Sequence, residues 1–286
     1  MQSNCPAIRT FAKRCDMETR VIKEVQDLTY LKWSHIRSSS GTAGTFLKAS
    51  STLGGRKTYY KLSNFDPVQG VVGHECVNEI IVDRMLTLLG VGHLSYELIH
   101  ADIEVENRIF RTWLCASEDF KKPGESKIAI DDYFRINAIP GESHYDFCLR
   151  MGFGEYIDQM LAVDYLILNR DRHGANIEVL RNARAHTIRI APLFDHGLSL
   201  LYSSTTEEDA DSFAIMEDRP CQNFIGTRSC LENLSLIRNR QEVFPGKLEE
   251  GDRAFILEDL SEAVPTAILE RSFEMIWRRY RYYEEL

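Results

Sequence analysis

The stretch "LILNRDRHGAN", residues 166–176, closes an apolar run, "YIDQMLAVDYLIL" (156–168), that reads as a buried helix, and then presents Asp171, His173 and Asn176 within six residues. Gly174 punctuates the segment and a strand pattern, "NIEVLRN", follows, so Asp171 and Asn176 lie on a loop. A carboxylate and an amide oxygen so placed can converge on one small volume. Further on, "APLFDHGLSL" (191–200) sets Asp195 and His196 directly after an apolar strand, with Gly197 permitting a tight turn. Two Asp and one Asn are hard oxygen ligands suited to Mg2+, which keeps several waters and shares phosphate oxygens. The combination points to phosphoryl transfer from a magnesium nucleotide. Either motif alone also fits an ordinary Asx turn; it is their ordered co-occurrence that favours chemistry.

The rest of the chain sets bounds on this reading. At 286 residues, 44% of them hydrophobic, it can bury a substantial core, as one large domain or as two lobes with a cleft between them. The 34 basic and 43 acidic residues give a net charge of -9, which argues against a general nucleic-acid or anionic-membrane binder. The start has no apolar leader and no run of about eighteen apolar residues occurs, so a soluble, cytoplasmic protein without a transmembrane segment is expected. Export as an effector without a signal peptide stays open. The seven cysteines are scattered and never spaced as C-x-x-C, so neither a disulfide framework nor a zinc site is indicated.

Pattern type changes along the chain. From about Leu31 to Phe120, strand-like segments ("GTFLKA", "KTYYKLS", "LSYELIHADIEV", "NRIFRTWLCAS") surround one helical stretch, "ECVNEIIVDRMLTLLG", with Gly90 as its stop. After about Tyr145 helical signals dominate, apart from "NIEVLRN" and "TIRIAPLF", which can pair as a hairpin. "SEDFKKPGESK" (117–127) has the composition of a linker. The expected fold is α+β and two-lobed: an N-terminal extension over 1–30, a small antiparallel-sheet lobe with one helix over 31–117, and a mostly helical lobe over 118–286.

The first half supplies what phosphoryl transfer would still lack. In "SSSGTAGTFLK" (38–48), Ser40, Gly41, Thr42, Ala43, Gly44 and Thr45 form a small, hydroxyl-rich turn whose backbone can approach phosphates closely. A plain Ser/Gly turn is the alternative. Lys61 alternates with aromatic residues on a strand, where its ammonium can reach the nucleotide α- and β-phosphates. Glu75 and Glu79 lie four apart and share a helix face, and Glu79, deeper in the helical pattern, is favoured as the partner of Lys61.

The order of glycine-rich loop, strand Lys, helix Glu, "DRHGAN" and "FDHG" resembles the protein-kinase-like superfamily, and more closely the HipA-like serine/threonine kinases, including small stand-alone CtkA-type members. The similarity covers most of residues 30–202. It implies an ATP- and Mg2+-dependent protein serine/threonine kinase. Asp171 would orient the attacking hydroxyl, His173 would order the loop or meet the γ-phosphate, and Asn176 and Asp195 would hold the metal. Lys61 would grip the nucleotide phosphates, and Gly41 and Gly44 would let the loop close. An antitoxin-like regulator is a further implied partner, beside a protein substrate. The resemblance also implies an autoinhibitory phosphorylation site among Ser38, Ser39 and Ser40, with Ser39 or Ser40 preferred. His196 replaces the usual Phe of D-F-G, and neither the full G-x-G-x-x-G-x-V loop nor A-P-E is present. These departures put substrate docking by an ordinary activation segment in doubt.

Two rival readings remain. D-R-H-x-x-N is also the catalytic loop of phosphatidylinositol kinases, and a nucleotide-binding pseudokinase could act as a regulator. The closing helix, "AILERSFEMIWRRYRYYEEL", is expected to pack through Ile268, Phe273, Ile276 and Tyr280 with its arginines in water. The acidic "SSTTEEDADS" (203–212) reads as a solvated loop, and Cys76 and Cys115 read as core residues.

Overall fold

A computed structural model of the chain describes residues 20–36 and 43–286. Its first half is built on a six-stranded sheet formed by β1 (Val21–Asp27), β2 (Ser34–Ile36), β3 (Ala43–Leu53), β4 (Arg56–Lys61), β7 (Glu97–Val105) and β8 (Arg108–Glu118), in the order β1-β7-β8-β4-β3-β2. A short pair, β5 (Phe65–Asp66) with β6 (Gly70–Val71), stands beside it. All neighbours in the large sheet are antiparallel except β1, which runs parallel to β7. The β3–β4 register closes Leu53 on Arg56 through Gly54 and Gly55, whose φ values of 58° and 81° are what a two-residue hairpin turn demands. The sheet buries Leu98, Ala101, Ile103 and Leu114 completely.

Helix α1 (Glu75–Leu89) packs on this sheet and ends at Gly90 in the left-handed region. Val77, Ile80, Ile81, Met85, Leu86 and Leu89 are buried as the helical spacing predicts. Glu75, Asn78, Glu79, Asp83 and Arg84 are buried as well, so α1 is enclosed on nearly all sides. Its polar face is therefore committed to partners, since buried polar groups are costly unless hydrogen-bonded.

The second half is mainly helical: α2 (Ile130–Asn137), α3 (His144–Arg150), α4 (Gly154–Ile167), α5 (Glu207–Ser212), α6 (Cys230–Asn233), α7 (Arg253–Leu257) and α8 (Thr266–Glu285). A three-stranded sheet runs β12-β11-β9, formed by β9 (Glu125–Ala129), β11 (Glu178–Asn182) and β12 (Thr187–Ile190). The expected hairpin is thus β11–β12, with β9, from the end of the linker segment, as a third strand. β10 (Asp171–Arg172) pairs in parallel with β13 (Gln222–Asn223). Among the described residues no helix is long and apolar enough to cross a membrane. The α+β architecture, an antiparallel-rich sheet with a packed helix followed by a helical region, is the one expected.

Three local expectations are corrected. Val21–Asp27, assigned to an N-terminal extension, forms an edge of the large sheet. The acidic stretch is not a loop throughout: Glu207–Ser212 is a helix, because Thr206 accepts from the Asp209 amide and Asp209 reaches back to the N-cap backbone. Ile268, Phe273, Ile276 and Tyr280 do face the core, but the arginines of α8 are not all in water. Arg279 is buried and donates to the carbonyls of Ile215, Tyr165 and Glu217 at 2.7, 3.0 and 2.7 Å. A guanidinium has enough donors to satisfy three carbonyls at once.

Candidate active site

Three of the residues singled out in the sequence meet in one ionic group. Lys61, the last residue of β4, is held between β3 and β8, opposite Lys48 and Cys115. Its Nζ lies 3.0 Å from Glu79 Oε1 and 2.5 Å from Asp195 Oδ1. Burial disfavours the ammonium, but Asp195 and Glu79 outweigh it and hold the Lys61 pKa well above the ordinary range. Glu79 is fully buried, which alone would raise its pKa; Lys61 and a contact with His196 bring it below normal instead. Lys61 and Glu79 are therefore both charged at neutral pH.

The turn that carries Asp195 is shaped by α1. Asp195 has a φ of 60°, and the next two amides, of His196 and Gly197, donate to Glu79 Oε2 and Oε1 at 2.8 and 3.1 Å. Asn78 Nδ2 donates to the carbonyls of Gly197 and Ser199, both at 3.0 Å. A Cβ on Gly197 would lie 3.0 Å from Glu75 Cβ and 3.3 Å from Lys61 Nζ, so glycine permits this close approach. Glu75 itself does not pair with Lys61; it accepts the Asn64 amide at 3.0 Å. His196 is buried, and burial lowers its pKa, so a neutral imidazole lies behind the turn with Nδ1 3.7 Å from Glu79 Oε2.

The loop after α4 is organised from beneath. Arg172 is fully buried and forms an ion pair with Asp164 of α4 at 2.9 Å. Burial alone would lower the Arg172 pKa, but Asp164 reverses this and raises it. A second Arg172 nitrogen donates to the Phe194 carbonyl at 2.9 Å and contacts the Asn176 carbonyl at 3.4 Å. One guanidinium therefore ties the Asp171–Asn176 loop to the residue preceding Asp195. Asn169 adds to the support: its Nδ2 donates to Asp164 at 2.9 Å and its Oδ1 accepts the Asp171 amide at 3.1 Å.

On that platform Asp171 is part-exposed, and Asn176 Nδ2 donates to its carbonyl at 2.8 Å and contacts its Oδ2 at 3.4 Å. His173 Nδ1 accepts the Ala175 amide at 3.1 Å, while Nε2 lies 3.4 Å from Asp171 Oδ1. Neither Arg172 nor Asp164 was singled out in the sequence. The signal was an acidic residue inside the apolar run "LAVDYLIL", which calls for a buried cation. Tyr96, whose hydroxyl accepts the Asp195 amide at 3.3 Å, carried no such signal.

A cleft of about 710 Å³ opens on the Lys61 group, lined among others by Ala49, Tyr59, Tyr96, Phe120, Phe194 and Asp195. That volume suits a nucleotide-sized ligand. Ser38, Ser39, Ser40, Gly41 and Thr42 lie outside the described residues, and the backbone of Ala43, Gly44 and Thr45 begins β3. Among the described residues no group of three or more His, Cys, Asp or Glu side chains could hold a metal. Asp195 and Asn176 carry oxygen donors of the hard kind that Mg2+ takes together with water and phosphate oxygens.

No protein-family model and no curated protein matches the chain. Solved structures do. The crystal structure of a Helicobacter pylori proinflammatory kinase, CtkA, is 16% identical and covers 88% of this chain and 99% of its own, with a TM-score of 0.50. HipA of Shewanella oneidensis MR-1, from a toxin–antitoxin complex with HipB and operator DNA, is 14% identical over 96% of this chain and 70% of its own, with a TM-score of 0.41. WaaP in complex with acyl carrier protein is 12% identical over 90% and 89%, with a TM-score of 0.37. The likeness to CtkA is one of fold, and the fold is kinase-like.

Proposed function

We propose that this protein is a phosphotransferase that moves the γ-phosphoryl group of Mg2+-bound ATP to a serine or threonine hydroxyl of a protein. The observation that carries the reading is the meeting of Lys61, Glu79 and Asp195 at the cleft. Glu79 orients Lys61 toward the nucleotide α- and β-phosphates. Asp171 orients the acceptor hydroxyl and takes its proton as the oxygen–phosphorus bond forms and the bond to the ADP oxygen breaks. Asp195 and Asn176 would hold Mg2+, which would neutralise charge on the phosphates. His173, bonded to its own loop, shapes that loop around Asp171.

Transfer of labelled phosphate from ATP, compared between the wild-type protein and Asp171→Ala, tests the reading. The wild type labels itself or an added protein, and the variant does not. Asp195→Ala loses Mg2+-dependent nucleotide binding, whereas Asp171→Ala keeps it. Equal affinity in both variants would refute the division of roles. A wild type that binds nucleotide without transfer would make the protein a pseudokinase.

A further inference from the structure

We infer that Cys221 and Cys230 are an oxidisable dithiol whose disulfide displaces the Asp171 loop. The two sulfurs lie 3.5 Å apart, and Cys230 Sγ also contacts the Asn169 carbonyl at 3.6 Å. The contact is not a remote piece of core. Cys221 directly precedes β13, whose partner is Asp171–Arg172 itself. Gln222 donates to the Arg170 carbonyl and Phe224 to the Arg172 carbonyl, both at 2.9 Å. Cys230 opens the four-residue helix α6, and the Cys221 amide donates to the Arg228 carbonyl at 2.8 Å, so the segment folds back on itself.

The thiols are buried, but residues 226–228 between them are exposed, and a short loop of this kind opens locally to admit a small oxidant. Cys230 points its S–H at Cys221 across the 3.5 Å gap, which favours the thiolate of Cys221 as the first nucleophile. With hydrogen peroxide, Cys221 sulfur attacks one peroxide oxygen, the O–O bond breaks and one water leaves. Cys230 sulfur then displaces the sulfenic oxygen, forming the S–S bond and releasing a second water.

A disulfide needs its sulfurs at about 2.05 Å, so the pair must close by roughly 1.5 Å. Closing the pair also shifts Cys230 Sγ from its 3.6 Å contact with the carbonyl of Asn169, the residue whose side chain accepts the Asp171 amide. Both changes act on the loop and leave the Lys61 group untouched. Oxidation should therefore slow transfer by roughly 10- to 100-fold while nucleotide affinity holds.

The activity readout rests on the function proposed above; two other readouts do not. The full-length protein is treated with hydrogen peroxide, alkylated and mapped by peptide mass spectrometry. Amide exchange at residues 169–172 is followed in the oxidised and reduced forms. The expected result is a 221–230 cross-link, altered protection at Asp171 and Arg172, and reversal by dithiothreitol. Cys230→Ser, which keeps a donor toward Asn169, should retain the reduced-state exchange pattern and lose the peroxide response, and Cys221→Ala provides an independent check. Absence of the cross-link overturns the inference, as does a cross-link that leaves exchange at 169–172 unchanged. A reduced protein that transfers no phosphate refutes the kinase reading alone, since mapping and exchange still decide the dithiol.

Discussion

The Lys61 group opens on the cleft, the Asp171 loop is tied to it through Arg172 and the Phe194 carbonyl, and the two carry their charges differently. Lys61, Glu79 and Asp195 are 11%, 0% and 16% exposed and neutralise one another directly. Asp171 and His173 are 29% and 37% exposed and only 3.4 Å neighbours, while the fully buried pair, Arg172 with Asp164, lies beneath them. Dry charges therefore carry a structural obligation beside any part in the chemistry, and the wet ones are less bound to the fold. Removing a dry charge should cost stability as well as function, whereas removing a wet one should cost mainly the reaction.

The largest effect that sharpens this contrast is on rate. Asp171→Asn should lower phosphoryl transfer by roughly 10²- to 10⁴-fold, as loss of an acid–base group does, with the thermal midpoint unchanged. An unfolded variant would break the comparison. Next comes Arg172→Met, which leaves the Asp164 carboxylate buried without its cation and should destabilise by about 3–5 kcal/mol in urea titration. The double variant Arg172→Met with Asp164→Leu should recover much of that loss, because no buried charge is then stranded.

Acid provides a third test. His74, beside Glu75 at the start of α1, has its pKa lowered to about 4 by burial, against 6.5 for the ordinary group. It is neutral in the folded state, so the unfolded chain binds more protons between these values. Stability is then complete above pH 6.5 and falls on acidification toward pH 4, by about 3 kcal/mol for this group. His74→Gln should flatten that part of the pH profile, and an unchanged slope would remove His74 as its source. The smallest effect belongs to His173→Ala, which removes the acceptor of the Ala175 amide and should cost about 1 kcal/mol. If transfer falls by far more than stability does, His173 touches the reacting phosphate rather than only ordering the loop.

The chemistry was more legible in the sequence than its supports. Lys61, Glu79 and Asp195 could be singled out because a lysine among strand aromatics, a glutamate in a helical period and an aspartate at a strand end are each unusual in pattern. Arg172 stands in the D-R-H motif, but its part stayed hidden because its burial follows only from Asp164 meeting it in space. β1 was missed because "VIKEVQD" is an edge strand with a largely exposed face, so its polar residues mask the alternation. Helix α5 was missed because acidic composition speaks for solvation, while the Thr206 and Asp209 cap that sets the helix depends on a spacing of three residues. Residues 37–42 are not described, so the serines proposed as a phosphorylation site stay an expectation of the sequence.

Glu79 holds the Lys61 ammonium and the backbone amides of His196 and Gly197 through one carboxylate. Rotation of α1 away from the cleft must therefore break all three contacts together, and withdrawal of the turn must strand the same carboxylate. Helix and turn are thus a single mechanical unit, so a displacement of α1 would reach the ammonium and the turn that carries Asp195 through the same carboxylate.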